Sequence, residues 1–157
     1  MDMNHILVLG GLDSTHHSVC DFFTNYCFEL KIAKFHKNDE MYVCTPKSAM
    51  QTGRGCFGVA YNLNWVFVFG GVKGTQFNQN KGKQDRVSFD IDENTETREG
   101  GLLSLCEKYD VENDQWYSIA ELPIPLRNAG ACSMSCDSVY LFGGKTIGPN
   151  GQAQLSD

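Results

Sequence analysis

Three short runs of strand-forming residues, each followed by two glycines, constrain the fold of this chain more than any other feature. They are Ile6–Gly11, Val66–Gly71 and Val139–Gly144. β-Branched, aliphatic and aromatic residues in such a run favour a buried strand. A Gly-Gly pair directly after the run favours a turn with positive φ or a close approach between two backbones. Three copies in 157 residues predict a repeat protein.

The segments between these copies also favour strands. Tyr26–Phe35 alternates apolar and polar residues with the period of two that is typical of a strand. Leu103–Val111 and Gln115–Ile119 flank a short polar turn and predict a hairpin. Because no useful length of the chain has the helical period, the sequence predicts an all-β chain of short strands.

The charge balance and the cysteine pattern limit the classes of function. The formal net charge is −6, whereas surfaces that bind nucleic acid or anionic membranes need a basic footprint. No apolar run reaches the roughly 18 residues of a membrane-spanning helix, and Met1–Gly11 lacks the positive region of a signal peptide. Seven irregularly spaced cysteines are typical of reduced thiols. We therefore expect a cytoplasmic protein that binds neither nucleic acid nor membrane.

The second copy is followed by residues that make the pattern more specific. After Val66–Phe69 and Gly70-Gly71 come Tyr109-Asp110 and then Trp116, six residues beyond the aspartate. This order resembles the kelch repeat. The resemblance implies a β-propeller in which each repeat forms one four-stranded blade, with the tyrosine and tryptophan packed between blades. The repeat markers are Gly10, Gly11, Gly70, Gly71, Tyr109, Asp110, Trp116, Gly143 and Gly144.

The resemblance extends from about His5 to the last residue and divides the chain into three units. Residues 5–44 are a degenerate first blade, in which Phe35-His36 and Met41-Tyr42 are weaker counterparts of the Tyr-Asp pair and the tryptophan. Residues 54–119 are a second blade with a long polar loop at 72–101, and residues 127–157 begin a third. A propeller ring uses about four or more blades. We therefore expect an incomplete kelch-type propeller of about two to three four-stranded blades with an open ring, either a fragment of a longer protein or part of a ring that another chain completes.

Motifs that could bind a metal are weak in this sequence. His16-His17 lies in a polar stretch, where a solvated loop is favoured over a metal site. Asp90–Gly101 begins like a calcium-binding loop, but Thr95 stands at the place of the required glycine and Gly101 at the place of the glutamate. We expect no metal and no cofactor, and the spacing identifies no catalytic residue.

Two arginines are the best candidates for binding a partner. Arg54 lies 16 residues before Gly70, and Arg127 lies 16 residues before Gly143. The match is looser between these ends, since Gly58 and Gly130 differ by one position. In kelch domains that bind peptides, the resemblance places such residues on the ligand-holding face, so we predict Arg54, Arg127 and the adjacent Asn128 as partner-binding residues. The alternative is that each arginine caps its own blade through a backbone carbonyl or a neighbouring acid.

The sequence favours a non-catalytic protein–protein interaction module over an enzyme. A kelch-type propeller, or a fragment of a larger kelch protein, would bind a protein partner through the loops at the blade rim, or would bind the chain that completes the ring. The alternative is an enzyme on the same scaffold, of oxidase or lyase type. Since one fold hosts many functions, the choice depends on the site residues.

Overall fold

The computed structural model describes most of the chain, namely residues 5–13, 22–36, 39–73, 101–147 and 153–155. These residues form β-strands and no helix, so the predicted all-β class is confirmed. His16-His17, the motif that starts at Asp90 and most of the predicted loop 72–101 lie outside the described residues. In the described part, no helix is long and apolar enough to cross a membrane.

Short antiparallel strands make up the fold. In chain order they are β1 (His5–Leu9), β2 (Leu12–Asp13), β3 (Phe22–Phe23), β4 (Cys27–His36), β5 (Asp39–Lys47), β6 (Gly58–Asn62), β7 (Trp65–Phe69), β8 (Cys106–Asp110), β9 (Gln115–Ile119), β10 (Gly130–Ser135), β11 (Ser138–Phe142), β12 (Lys145–Ile147) and β13 (Ala153–Leu155). The first sheet has the order β1-β4-β5, the second β6-β7-β8-β9 and the third β10-β11. β2-β3 and β12-β13 are two further short pairs.

The strand registers make β1, β7 and β11 equivalent. Leu9 at the end of β1 pairs with Cys27 on β4, and Phe69 at the end of β7 pairs with Cys106 on β8. Phe142 at the end of β11 is the third member of this set, and each of the three residues directly precedes a glycine pair. β4 and β8 are therefore equivalent, because each is hydrogen-bonded to the strand that precedes the glycine pair of its sheet.

The glycine pairs have nearly the same backbone conformation in all three copies. The φ angles of the first glycines are 55°, 59° and 64°, and those of the second are 103°, 101° and 104°. This left-handed region favours glycine because it lacks a Cβ. At Gly70 the packing adds a second reason, since a Cβ there would lie 2.3 Å from the carbonyl oxygen of Leu126.

The core lies between the first and second sheets. Val66, Val68, Tyr109 and Trp116 share the face of the second sheet that meets the first. They cluster with Cys27 and Met50, with Leu7, Leu9, Phe57 and Val111 at the margin. The Tyr109 and Trp116 rings have centroids 5.0 Å apart, and Trp116 Nε1 donates a hydrogen bond of 2.7 Å to the carbonyl oxygen of Ser48. The two aromatic repeat markers thus pack between adjacent sheets.

Candidate interaction surface

Arg54 is completely buried, with 0% of its surface exposed. Its Nη2 forms an ion pair with Oε1 of Glu107 on β8. Its Nη1 donates to the carbonyl oxygens of Leu105 at 2.7 Å and Gly70 at 3.0 Å. The guanidinium therefore has no surface for a partner, which favours the capping alternative left open by the sequence.

Glu107 also holds the chain segment that joins the first two sheets. Its Oε2 accepts a hydrogen bond of 2.7 Å from the amide of Gln51, and its Oε1 accepts one of 3.3 Å from the amide of Thr52. A buried carboxylate needs such compensation, because an unpaired charge in the interior is very costly. The ion pair thus anchors the first connector, residues 48–57, on the second sheet.

The strand registers show that the position of Arg127 in the third sheet corresponds to that of Gly55 in the second, not to that of Arg54. Gly55 bridges to Val72, and Arg127 bridges to Lys145, one residue after each glycine pair. A bulge between Ser133 and Ser135 adds one residue to the second hairpin, and it explains why the sequence spacing is offset. The equivalent of Arg54 is therefore Leu126.

Two residues at the blade rim, each two positions before the first strand of its sheet, confirm this register. Cys56 and Asn128 are non-glycine residues with φ of 55° and 56°, and both are exposed. The Asn128 amide donates 2.8 Å to the carbonyl oxygen of Cys56. Of the predicted partner-binding residues, Asn128 lies at the surface, whereas Arg127 is buried with 8% exposure.

Tyr109 and the two aspartates near it stabilise the turn after β8. The Tyr109 hydroxyl donates 2.6 Å to Oδ1 of Asp114, which also accepts 2.8 Å from the Ser48 amide. Burial raises the pKa of Tyr109, and the Asp114 hydrogen bond raises it further. Burial raises the pKa of Asp114, but the hydrogen bonds from Tyr109 and Ser48 outweigh it and leave the pKa below its ordinary value.

Asp110 caps the same turn through its own hydrogen bonds. Its Oδ2 accepts 2.8 Å from the Asn113 side chain, and its Oδ1 accepts from the amides of Glu112 and Asn113 at 3.0 and 3.1 Å. The Asn113 side chain is the largest of the influences that lower the pKa of Asp110. The marker Asp110 therefore acts as a turn cap.

The first sheet carries a charged cluster that the sequence analysis missed. His5 Nδ1 lies 2.6 Å from Oε1 of Glu29, and Lys47 Nζ lies 3.3 Å from Oε2. The His5 hydrogen bond lowers the pKa of Glu29, whereas burial raises the pKa of the nearby Cys27 to about 11. Cross-strand pairing created this cluster from residues on three strands, so no local motif could have indicated it. In the described residues, no group of three or more His, Cys, Asp and Glu side chains is arranged to hold a metal ion.

The third sheet exposes an aromatic face. The equivalent face of the second sheet is partly covered. Tyr140 and Phe142 on β11 are 51% and 57% exposed. Their equivalents Phe67 and Phe69 are only partly exposed and stack with ring centroids 6.3 Å apart. Two exposed aromatic side chains on one face of a strand are a candidate contact surface.

Comparison with known proteins supports the fold and leaves the family open. No family model matches the chain, and no curated protein matches it. Among solved structures, that of YjhT has a TM-score of 0.56 at 17% identity, and the match covers 93% of this chain and 33% of the YjhT chain. The structure of a fungal alcohol oxidase of the AA5 family, in complex with copper, has a TM-score of 0.61 at 13% identity, and the match covers 97% of this chain and 28% of the oxidase chain. This chain thus spans about a third of the length of these structures, and the similarity indicates a β-propeller-like fold consistent with the kelch type.

Proposed function

We propose that this chain is a protein–protein interaction module of kelch-propeller type, without catalysis, and that its partner docks at the rim near Asn128. The observation that carries the proposal is the exposed aromatic face of Tyr140 and Phe142. Asn128 lies at the same end of the third sheet, because Gly130 pairs with Phe142. An exposed polar rim beside an exposed apolar face matches the anatomy of a protein interface.

The charged groups in and beside the second sheet support a scaffold role. Arg54, Glu107, Asp110 and Asp114 are all engaged in hydrogen bonds to the chain itself. Such networks stabilise a unique packing. The partner is a protein, either a separate one or a chain that completes the ring. We propose that the interaction takes place in the cytoplasm.

Site-specific photocrosslinking tests the rim. A photoreactive phenylalanine analogue at Asn128 is expected to crosslink a protein partner in cell extract. The matched control is the same analogue at Glu112, which is exposed in the turn at the other end of the second sheet. Equal crosslinking at both positions, or no adduct at Asn128, would overturn the rim assignment.

A further inference from the structure

The contact between the first and second sheets has a polar part beside its apolar core. Leu7 and Cys27 pack in that core. Glu29 lies opposite Leu7, and Lys47 lies opposite Cys27. Residues that lie directly opposite each other share a face of the sheet, so both charged side chains are on the face toward the second sheet. We call the group formed by His5, Glu29, Lys47, Tyr109 and Asp114 the ionic joint.

The ionic joint connects the two sheets at the start of the first connector. The Ser48 amide donates a hydrogen bond of 2.8 Å to Oδ1 of Asp114. One residue earlier, Lys47 Nζ lies 3.3 Å from Oε2 of Glu29, whose Oε1 lies 2.6 Å from His5 Nδ1. The side chains of His5, Glu29 and Lys47 are 22%, 20% and 24% exposed. Solvent therefore screens these charges less than it screens fully exposed ion pairs.

Both carboxylates of the ionic joint are stabilised in the ionised form. The His5 hydrogen bond is the largest influence that lowers the pKa of Glu29 below its ordinary value of 4.5, and Lys47 lowers it further. Burial raises the pKa of Asp114, but the hydrogen bond from Tyr109 and the charge of Lys47 help to leave it below its ordinary value of 3.8. Such carboxyls contribute stability that is present above the unfolded pKa and is lost as the pH falls through the folded pKa. The joint therefore weakens below about pH 4.

The other groups around the two carboxylates do not offset this loss. The titratable and charged groups that face Glu29 and Asp114 are His5 on β1, Cys27 and Lys31 on β4, Lys47 on β5 and Tyr109 on β8, with Asp110 and Glu112 on the turn of Asp114 itself. Burial raises the pKa of Cys27 and of Tyr109, so both are neutral in acid. Asp110 caps its own turn, and Glu112 accepts a hydrogen bond from Asn64. Protonation of the two carboxyls thus leaves the joint with an excess of cations, which repel one another.

The second sheet and the first connector do not depend on these two carboxylates. β7 pairs with β6 and β8 through backbone groups, which do not titrate. Arg54 holds the connector on the second sheet through the carbonyl oxygens of Gly70 and Leu105 as well as through Glu107. We therefore expect acid to remove contacts between the two sheets before it removes those within the second.

We propose that the ionic joint is an acid-sensitive hinge, at which the first sheet opens from the second while the second sheet keeps its strand pairing. The hinge point is Ser48, because the residues that follow it stay attached through Arg54. Opening breaks the hydrogen bond from Trp116 Nε1 to the Ser48 carbonyl oxygen and exposes the indole. This device goes beyond the interaction function proposed above and does not require it.

Hydrogen exchange on the unmodified chain tests the order of opening. After correction for the intrinsic pH dependence of exchange, we expect the protection of the Ser48 amide to fall at least about tenfold between pH 6 and pH 3, since a difference of one in pKa corresponds to a factor of ten. The β7 amides are expected to keep their protection. In W65F, which retains Trp116 as its one tryptophan, the fluorescence emission should shift to the red over the same range. Simultaneous loss of protection at Ser48 and in β7, or protection at Ser48 that does not change with pH, would overturn the proposal.

Variants identify the carboxylates that are responsible. In E29Q/D114N neither position can be protonated, so we expect no further fall in Ser48 protection between pH 6 and pH 3. D137N is the matched control, because hydrogen bonds from Ser135 and Ser138 lower the pKa of Asp137 as well, yet it lies in the β10–β11 turn. It should keep the pH dependence of the parent. The same pH dependence in E29Q/D114N, or its loss in D137N, would contradict the assignment. If the double variant does not fold, the measurement on the unmodified chain decides. Crosslinking at Asn128 is carried out at neutral pH, so failure of the hinge and failure of the interaction function are separable.

Discussion

The first connector, residues 48–57, and the second connector, residues 120–129, follow the same backbone path but are held in place by different side chains. In both, three backbone hydrogen bonds recur at equivalent positions. In the first set the donors are the backbone amides of Met50, Arg54 and Gly11, with donor–acceptor distances of 2.8, 3.2 and 3.4 Å. In the second set the donors are the amides of Leu122, Leu126 and Gly71, with distances of 2.9, 3.1 and 2.8 Å. The backbone path is therefore conserved within the molecule, independently of the side chains that stabilise it.

The difference lies in what holds each path in place. The first connector carries Gln51, Thr52 and Gly53, and Glu107 of the buried Arg54–Glu107 pair accepts hydrogen bonds from the amides of Gln51 and Thr52. The second connector carries Pro123 and Pro125 at the places of Gln51 and Gly53. Proline restricts the unfolded chain and removes amides that would need acceptors. A polar network and proline preorganisation are thus alternative solutions for one backbone position.

The largest effect is expected from breaking the ion pair. R54A leaves Glu107 buried without its cation, so we expect a loss of about 3–5 kcal/mol in the free energy of unfolding. Urea denaturation followed by circular dichroism measures it. L126A, at the equivalent position, removes only apolar contacts and is the control for lost packing, with a loss of about 2–5 kcal/mol. If R54A unfolded at the parent's denaturant concentration, Arg54 would not be structural, and its role as a partner-binding residue would regain support.

A smaller effect separates two glycines with the same φ. G70A places a Cβ 2.3 Å from the Leu126 carbonyl oxygen, whereas no atom of the described residues lies within 4 Å of a Cβ at Gly143. We expect G143A to cost only the left-handed conformation, about 1–2 kcal/mol. G70A should cost about 1–3 kcal/mol more, because the second connector must move to admit the methyl group. Thermal denaturation of both variants makes the comparison. Equal losses would mean that the connector does not press on the glycine turn.

The sequence predicted the strands and turns well because these depend on local patterns. The alternation in Tyr26–Phe35 and the three glycine pairs carried this information. The sequence failed where one inserted residue shifted the register. The bulge at Ser133–Ser135 made Arg54 and Arg127 look equivalent by counting, and only strand pairing identified Leu126 as the true counterpart.

The first sheet teaches the same lesson. Phe35-His36 was the expected counterpart of the Tyr-Asp marker, but the registers place Leu30-Lys31 there, because the β4–β5 hairpin is longer than β8–β9. Cys44 likewise stands at the place of Trp116. The burial of Arg54 could not be predicted either, since its partner Glu107 is distant in sequence and meets it only after the sheets pack.

Converting the first connector to the chemistry of the second should restore most of the stability lost in R54A. The double variant R54L/E107V replaces the ion pair with apolar side chains, and such replacements are often neutral. We expect its free energy of unfolding to lie within about 2 kcal/mol of the parent, since the Gln51 and Thr52 amides lose their acceptor. Adding Q51P, which copies Pro123, should recover part of that difference in the same urea titration. A double variant as unstable as R54A would mean that the backbone path itself requires the charge pair.

The smallest effect concerns Asp110, which caps the turn of the second sheet, whereas the equivalent residue of the first sheet, Lys31, lies inside β4 and caps no turn. The pKa of Asp110 lies below its ordinary value of 3.8, chiefly through the Asn113 side chain. A carboxyl with a lowered folded pKa contributes stability that is present above the unfolded pKa and is lost as the pH falls through the folded pKa. We therefore expect the melting temperature of D110N to fall less than that of the parent between pH 5 and pH 2. K31Q should match the parent, because it removes no carboxyl group. The other aspartates contribute equally to all three proteins, so the difference between the acid limbs isolates the cap. An unchanged acid limb in D110N would mean that this turn persists in the unfolded chain or forms without its aspartate.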